Sequence, residues 1–192
     1  MERNKHLIKI KLIFGIFIFL LGIIINFISS NYIYYEFNTL NFPKNPDIIL
    51  DLFTKPHPNY MFFAEILLVI CIFLFLFINY KDKNTIIEFL IIIGIFNVLR
   101  GLLIPVTILG GLNPVSFLAE YNTFAYGLFP SGHTAIPLAI YFTSKIKKLL
   151  FLPFCIVIPL FILISQQHYT IDIIASVIFV YSIKSFYDKN IR

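Results

Sequence analysis

Apolar runs of roughly membrane-spanning length recur six times along this chain, at residues 12–29, 60–80, 85–108, 131–142, 149–165 and 169–186. A helix that crosses a hydrocarbon core needs about 20 such residues, because nothing in lipid but the helix itself satisfies backbone N–H and C=O groups. Each run meets that length or falls slightly short, and the fourth is the shortest. A soluble domain could not hide this much apolar surface: 59% of residues are apolar and 13% charged, against roughly 45–50% and 25% in globular chains. The expected fold class is an all-α integral membrane protein with six transmembrane helices. Residues 1–192 then form a single transmembrane domain, with no internal repeat, low-complexity tract or linker.

The charged residues orient the spans. Arg3, Lys5, Lys9 and Lys11, then Lys81 and Lys83, then Lys145, Lys147 and Lys148, then Lys184, Lys189 and Arg192 all fall on one side of a six-span chain. The opposite loops carry only Lys44 and Lys55 in the first, and nothing basic between Ile108 and Ser131. The positive-inside rule makes both termini cytoplasmic. The net charge of +5 forms no basic stripe of the kind nucleic acid requires, so topology and anionic headgroups explain it and no nucleic-acid partner is expected. The first run follows basic residues as a secretory signal would, but it is too long and lacks a small-x-small cleavage site, so it reads as a retained span. Cys71 and Cys155 both lie inside apolar runs and read as packing residues with no disulfide framework.

Ionisable groups inside spans are costly and default to functional hypotheses. Glu88, at the cytoplasmic end of its span, reads as solvated. Glu65 reads as an interfacial carboxylate or helix–helix hydrogen-bonding group, with a site role as the alternative. Arg100 in the outer half of the third span and Asp172 one turn into the sixth are harder to dismiss. In "QQHYTIDII", His168 and Asp172 are four residues apart, which on a helix places them on one face. A carboxylate accepting the imidazole Nδ1–H fixes the tautomer and leaves Nε2 free to attack. A polar pair closing a helix start is the plainer reading of the same spacing.

A second stretch, "FPSGHTAIP" at residues 129–137, puts Pro130, Ser131, Gly132 and His133 just where an apolar run begins. That is the form of a helix N-terminus, whose unpaired N–H groups and positive dipole end make an anion site. Gly132 allows close approach to the backbone, and the Ser131 hydroxyl can donate as well. Pro137 falls just past the first turn, where it costs at most one backbone bond. His133 then stands beside the anion. An ordinary turn would explain Pro130 and Gly132, but not the histidine.

With Pro130-Ser131-Gly132-His133 followed by His168-x-x-x-Asp172, the chain resembles the type 2 phosphatidic acid phosphatase superfamily. Within it, "SGHT", "HYTID", "LRGLLIPVTIL" around Arg100 and "NPDIILDLF" after the first span are most similar to the sphingomyelin synthase-like branch. The resemblance covers about residues 40–186. It implies a helix-bundle core of the lipid phosphatase type and a two-step phosphoryl transfer without a metal or other cofactor. His168 would be the nucleophile and Asp172 its orienting carboxylate. His133 would be the acid and then the base, and Arg100, Ser131 and Gly132 would hold the phosphate oxygens. The implied substrate is a lipid phosphate or phospholipid at the outer membrane face, with a lipid alcohol as possible acceptor.

The chain also departs from these patterns. Ile162 stands where the phosphatase branch has an arginine ahead of its nucleophilic histidine, and Ile93 and Gly101 replace the lysine and proline of its first motif. "AYGLFP" lacks the acidic residue that the synthase branch carries before Ser-Gly-His. The shortage of cations favours a singly charged diester headgroup over a phosphomonoester of nearly two charges. A lipid phosphate phosphatase of the phosphatidic acid or polyprenyl phosphate type, with water as acceptor, is the alternative. A His133, His168 and Asp172 metal site leaves Pro-Ser-Gly unexplained. A non-enzymatic lipid carrier or scaffold would make the motifs incidental.

Overall fold

The computed structural model describes residues 2–37, 47–53, 57–107 and 129–191. Lys44, Lys55, residues 108–128, Arg192 and the side chains of Arg3 and Lys5 lie outside the described residues. The order is α1 (Glu2–Phe37), α2 (Ile48–Asp51), α3 (Pro58–Asn79), α4 (Lys83–Leu103), α5 (Gly132–Thr143), a 3-10 turn (Lys148–Phe151), α6 (Leu152–Ile164) and α7 (Thr170–Asn190). Among the described residues there is no strand.

A helix coincides with each apolar run, but among the described residues four are long and apolar enough to cross a membrane: His6–Tyr32, Asn59–Asn79, Lys83–Leu103 and Thr170–Asn190. In the apolar stretches of α1 and α3 only 22% of residues are buried against other helices. Side chains such as Ile13, Phe17, Phe73 and Phe77 point outward, as expected for a solvent of acyl chains. The other two helices are short. At 1.5 Å per residue the 12 residues of α5 reach about 18 Å and α4 about 32 Å.

Helix directions follow from end-to-end contacts. Lys11 Nζ donates to the Ile191 carbonyl at 2.9 Å, Lys145 faces Asp82 at 3.6 Å, and Lys184 pairs with Glu88 at 3.2 Å and with Asp188. These contacts gather the start of α1 and α4, the chain after α5 and the end of α7 at one lysine-rich end. At the other end the His57 N–H meets the Ile164 carbonyl at 3.4 Å and the Ser131 N–H meets the Asp172 carbonyl at 3.2 Å. So α1, α4 and α6 start at the lysine-rich end, and α3, α5 and α7 at the opposite one. Glu88, read from the sequence as solvated, is instead buried against Lys184. Its helix packs there on α7, and a carboxylate out of water needs a cation.

The core is apolar and crosses four helices, with Phe75 of α3, Phe96 of α4, Ala139 and Ile140 of α5 and Val180 of α7 among its members. Cys71 is buried in it and both cysteines are free. The parallel pair α1 and α4 packs differently, backbone to backbone. A Cβ at Gly22 would meet Asn97 Cβ at 2.6 Å, one at Gly94 the Phe19 nitrogen at 2.8 Å, and one at Gly101 the Asn26 nitrogen at 3.0 Å. Helices in lipid associate through such close contacts, because burial of apolar surface drives nothing there.

Candidate active site

Two helix N-termini meet at the end opposite the lysines. Ser131 is the N-cap of α5 in extended conformation, and its Oγ accepts from the Thr134 N–H at 3.3 Å and the Thr134 hydroxyl at 3.1 Å. Gly132 and His133 form the first turn above it. α5 has only 12 residues, so at about 18 Å it is shorter than the roughly 30 Å of a hydrocarbon core. Pro137 lies inside α5 and is buried. Having no N–H, it leaves the His133 carbonyl without a helical donor.

His168 sits on a tightly built turn. α6 ends with the Gln166 N–H bonding the Leu163 carbonyl at 2.9 Å and the Gln167 N–H bonding the Ile162 carbonyl at 3.1 Å, a Schellman closure. Gln166 takes the left-handed conformation at φ 55°, where glycine is usual and another residue costs about 1–2 kcal/mol. Its side chain explains the choice: Gln166 Nε2 donates to the Phe53 carbonyl at 2.5 Å. Two residues later comes His168, one position ahead of the N-cap Tyr169.

The His168–Asp172 pair forms, but not along a helix face as the spacing predicts. His168 precedes α7, and Asp172 belongs to its first turn. Asp172 Oδ2 lies 3.1 Å from His168 Nδ1 and accepts the Tyr169 N–H at 2.9 Å. One carboxylate oxygen thus caps the helix and orients the imidazole. Both residues are buried, and Asp172 Oδ1 is buried with no hydrogen-bond partner among the described residues.

The two motifs are stitched together. The Asp172 carbonyl takes the Ser131 N–H, and the Ser176 hydroxyl bonds the Ser131 carbonyl at 2.8 Å and the Asp172 carbonyl at 2.7 Å. The His133 and His168 rings face each other with centroids 6.4 Å apart and planes at 61°. Arg100, in the last turn of α4, donates from Nε to the Pro130 carbonyl at 2.8 Å and from a terminal nitrogen to Asn26 Oδ1 at 2.8 Å. A Cβ on Gly132 would lie 4.0 Å from the guanidinium, so the missing side chain keeps clear the space between the helix start and the cation. All six residues singled out from the sequence (Arg100, Ser131, Gly132, His133, His168 and Asp172) converge here.

Three further residues were assigned no contact from the sequence, although Asp47 lies in the quoted "NPDIILDLF" segment. Asn26 of α1 is buried, and its Nδ2 bonds the Gly22 carbonyl at 2.7 Å and the Asn97 carbonyl at 2.5 Å, which aims its oxygen at Arg100. A polar residue in an apolar run was the available signal. Ser176 gave no such signal. Asp47 caps two helices at once: Oδ1 accepts from Ile49 and Leu50 of α2 at 3.1 and 3.0 Å, and the Thr170 N–H and hydroxyl reach its carboxylate at 2.6 and 2.8 Å. Burial pushes the Asp47 carboxyl up, but these donors outweigh it and hold it below the usual carboxylate range.

Glu65 is half-buried on α3, beside the Met61 and Ala64 contact with α6. Ile93 and Ile162 are core residues. Among the described residues no three His, Cys, Asp or Glu side chains gather as a metal-ligand set. No protein-family model and no curated protein matches this sequence.

Proposed function

We propose that the protein is a multi-pass lipid phosphotransferase or phosphatase of the cell membrane, sphingomyelin synthase-like, working through a phosphohistidine. Six spans with both termini cytoplasmic turn the site outward, because cations gather at one end of the bundle and the two motifs at the other. The observation that carries the reading is the buried His168–Asp172 pair facing His133 across the N-terminus of α5.

The chemistry follows from that arrangement. His168 Nε2 attacks phosphorus while Asp172 holds the Nδ1 proton. The phosphorus–oxygen bond to the leaving alcohol breaks, and protonated His133 gives that oxygen its proton. The acceptor hydroxyl then loses a proton to His133, attacks phosphorus and releases His168. Arg100, the Ser131 hydroxyl and the first N–H groups of α5 bear the charge on the phosphoryl oxygens. Acid–base help of this kind contributes about 10²–10⁴-fold.

One cationic side chain and a helix dipole match a singly charged diester headgroup better than a monoester. The test is reconstituted protein with headgroup-labelled phospholipids and lipid phosphates, with and without diacylglycerol or ceramide, read by lipid mass spectrometry. Headgroup transfer to the added alcohol supports the transferase. Release to water alone means a phosphatase, and no turnover of any lipid leaves a carrier or scaffold.

A further inference from the structure

At the lysine-rich end not every cation is matched. Asp82 faces Lys145, and Glu88 and Asp188 both take Lys184. Lys11 is held by the Ile191 carbonyl, and Lys148 lies over the Tyr141 ring at 4.4 Å. Lys9 and Lys83 have no acidic partner among the described residues. Asp82 is next to Lys83 in sequence, but its two oxygens are turned to the Thr85 N–H and hydroxyl and to Lys145.

These two lysines line one cavity of about 570 Å³ between the starts of α1 and α4, together with His6, Ile8 and Leu12. The volume lies inside the roughly 300–1,000 Å³ range of small-molecule pockets. Its floor is apolar, since Ile8 and Leu12 pack on the buried cluster of Ile87, Ile91 and Tyr187. Beyond Leu12 the outward face of α1 continues apolar through Ile13, Ile16 and Phe17. Topology explains why lysines lie at this end. It does not explain why two without counter-charges face one apolar-floored cavity.

We infer that this cavity binds an anionic phospholipid of the adjoining leaflet, its phosphate between Lys9 and Lys83 and its acyl chains along Ile8, Leu12 and the outer face of α1. A basic pocket between spans at this depth suits such headgroups. The lipid is distinct from any substrate, because Arg100 of the candidate active site lies toward the other end of α4 from Lys83, about 25 Å away at 1.5 Å per residue. It would hold α1 against α4, the pair that carries Asn26 and Arg100. The inference is independent of the phosphoryl-transfer reading.

The test is native mass spectrometry of the full chain in neutral detergent, offered equal phosphatidylglycerol and phosphatidylcholine. Wild-type protein retains one phosphatidylglycerol in preference to phosphatidylcholine. The Lys9→Gln/Lys83→Gln variant loses that preference by roughly 10- to 30-fold, as expected for two lysines near an anionic headgroup. Lys147→Gln/Lys148→Gln, which removes the same charge at the same end, leaves it unchanged, and Lys9→Arg/Lys83→Arg keeps it. Circular dichroism checks that each variant is folded, and Lys9→Gln alone serves if the double variant is not. Equal loss in the Lys147/Lys148 control, or no preference in wild-type protein, overturns the assignment.

Discussion

Replacing Asp47 by alanine should loosen the turn that carries His168 while leaving the bundle intact. In the fold Asp47 Oδ2 accepts the Thr170 N–H at 2.6 Å, and Oδ1 takes the Thr170 hydroxyl at 2.8 Å. The Thr170 N–H opens α7 and, like the other first N–H groups of a helix, has no partner within it. A hydrogen bond to a charged group is worth about 1.5–3 kcal/mol. Asp47 is only half-buried, which puts the expected loss at the low end, about 1.5 kcal/mol. Its separate cap on α2 adds about 1 kcal/mol, felt in that short helix. At 1.4 kcal/mol per factor of ten, the Thr170 amide should exchange about tenfold faster in Asp47→Ala. Core amides of α4 should not change. Asp47→Asn should resemble alanine at Thr170, because it sets an amide donor or a weaker acceptor against that N–H. The pH dependence has a definite sign. The folded carboxyl is depressed, so the tether is fully present above the unfolded carboxylate value and is lost as pH falls through the folded one. Protection at Thr170 should therefore be flat at neutral pH and fall only in acid. Site-resolved hydrogen exchange by NMR makes the measurement. Unchanged Thr170 exchange in Asp47→Ala would refute the tether.

Arg100→Lys should fold normally but lose about 10- to 100-fold in kcat/KM on a phosphodiester, since an ammonium cannot hold Asn26, Pro130 and a phosphate oxygen in one plane. Asn26→Leu should lose a similar amount by freeing the guanidinium; wild-type kinetics in both would make Arg100 a structural charge. Two glycines should respond in opposite ways. Gly94→Leu drives side-chain atoms into the α1 backbone, with the first at 2.8 Å from the Phe19 nitrogen, and should cost about 1–3 kcal/mol or more in thermal unfolding. Gly132→Ala meets only the guanidinium at 4.0 Å, so it should keep the melting temperature and weaken phosphate binding. A cysteine replacing His57 should react with an impermeant thiol reagent in intact cells and one replacing Lys147 should not; the reverse pattern would turn the site to the cytoplasm.

Much of the site was legible because its groups announce themselves against apolar sequence. Pro130, Ser131, Gly132 and His133 mark a helix start, and Arg100 and Asp172 are too costly in lipid to be incidental. What could not be read depended on which distant segments meet. Asp47 and Thr170 lie 123 residues apart, and nothing in either neighbourhood names the other. Glu88 looked solvated because its partner Lys184 is a full bundle away in sequence. The helical placement of His168 failed for a local reason: the Asp172 carboxylate is needed by the Tyr169 N–H, and that starts α7 after His168. Gly15 with Gly22, and Gly94 with Gly101, did carry a signal, since small residues seven apart in apolar runs let two backbones approach.

The central proposal is a covalent phosphohistidine on His168, and a rapid-quench labelling experiment tests it most directly. A labelled nitrophenyl phosphodiester needs little leaving-group protonation, so His133→Ala protein should still form the intermediate and discharge it slowly. An acid-labile, base-stable label should accumulate and map to the peptide containing His168. It should be absent in His168→Ala and strongly reduced in Asp172→Asn, a change worth about 10⁴ in a well-studied triad. A label on His133, or turnover in His168→Ala at the wild-type rate, would contradict the proposal.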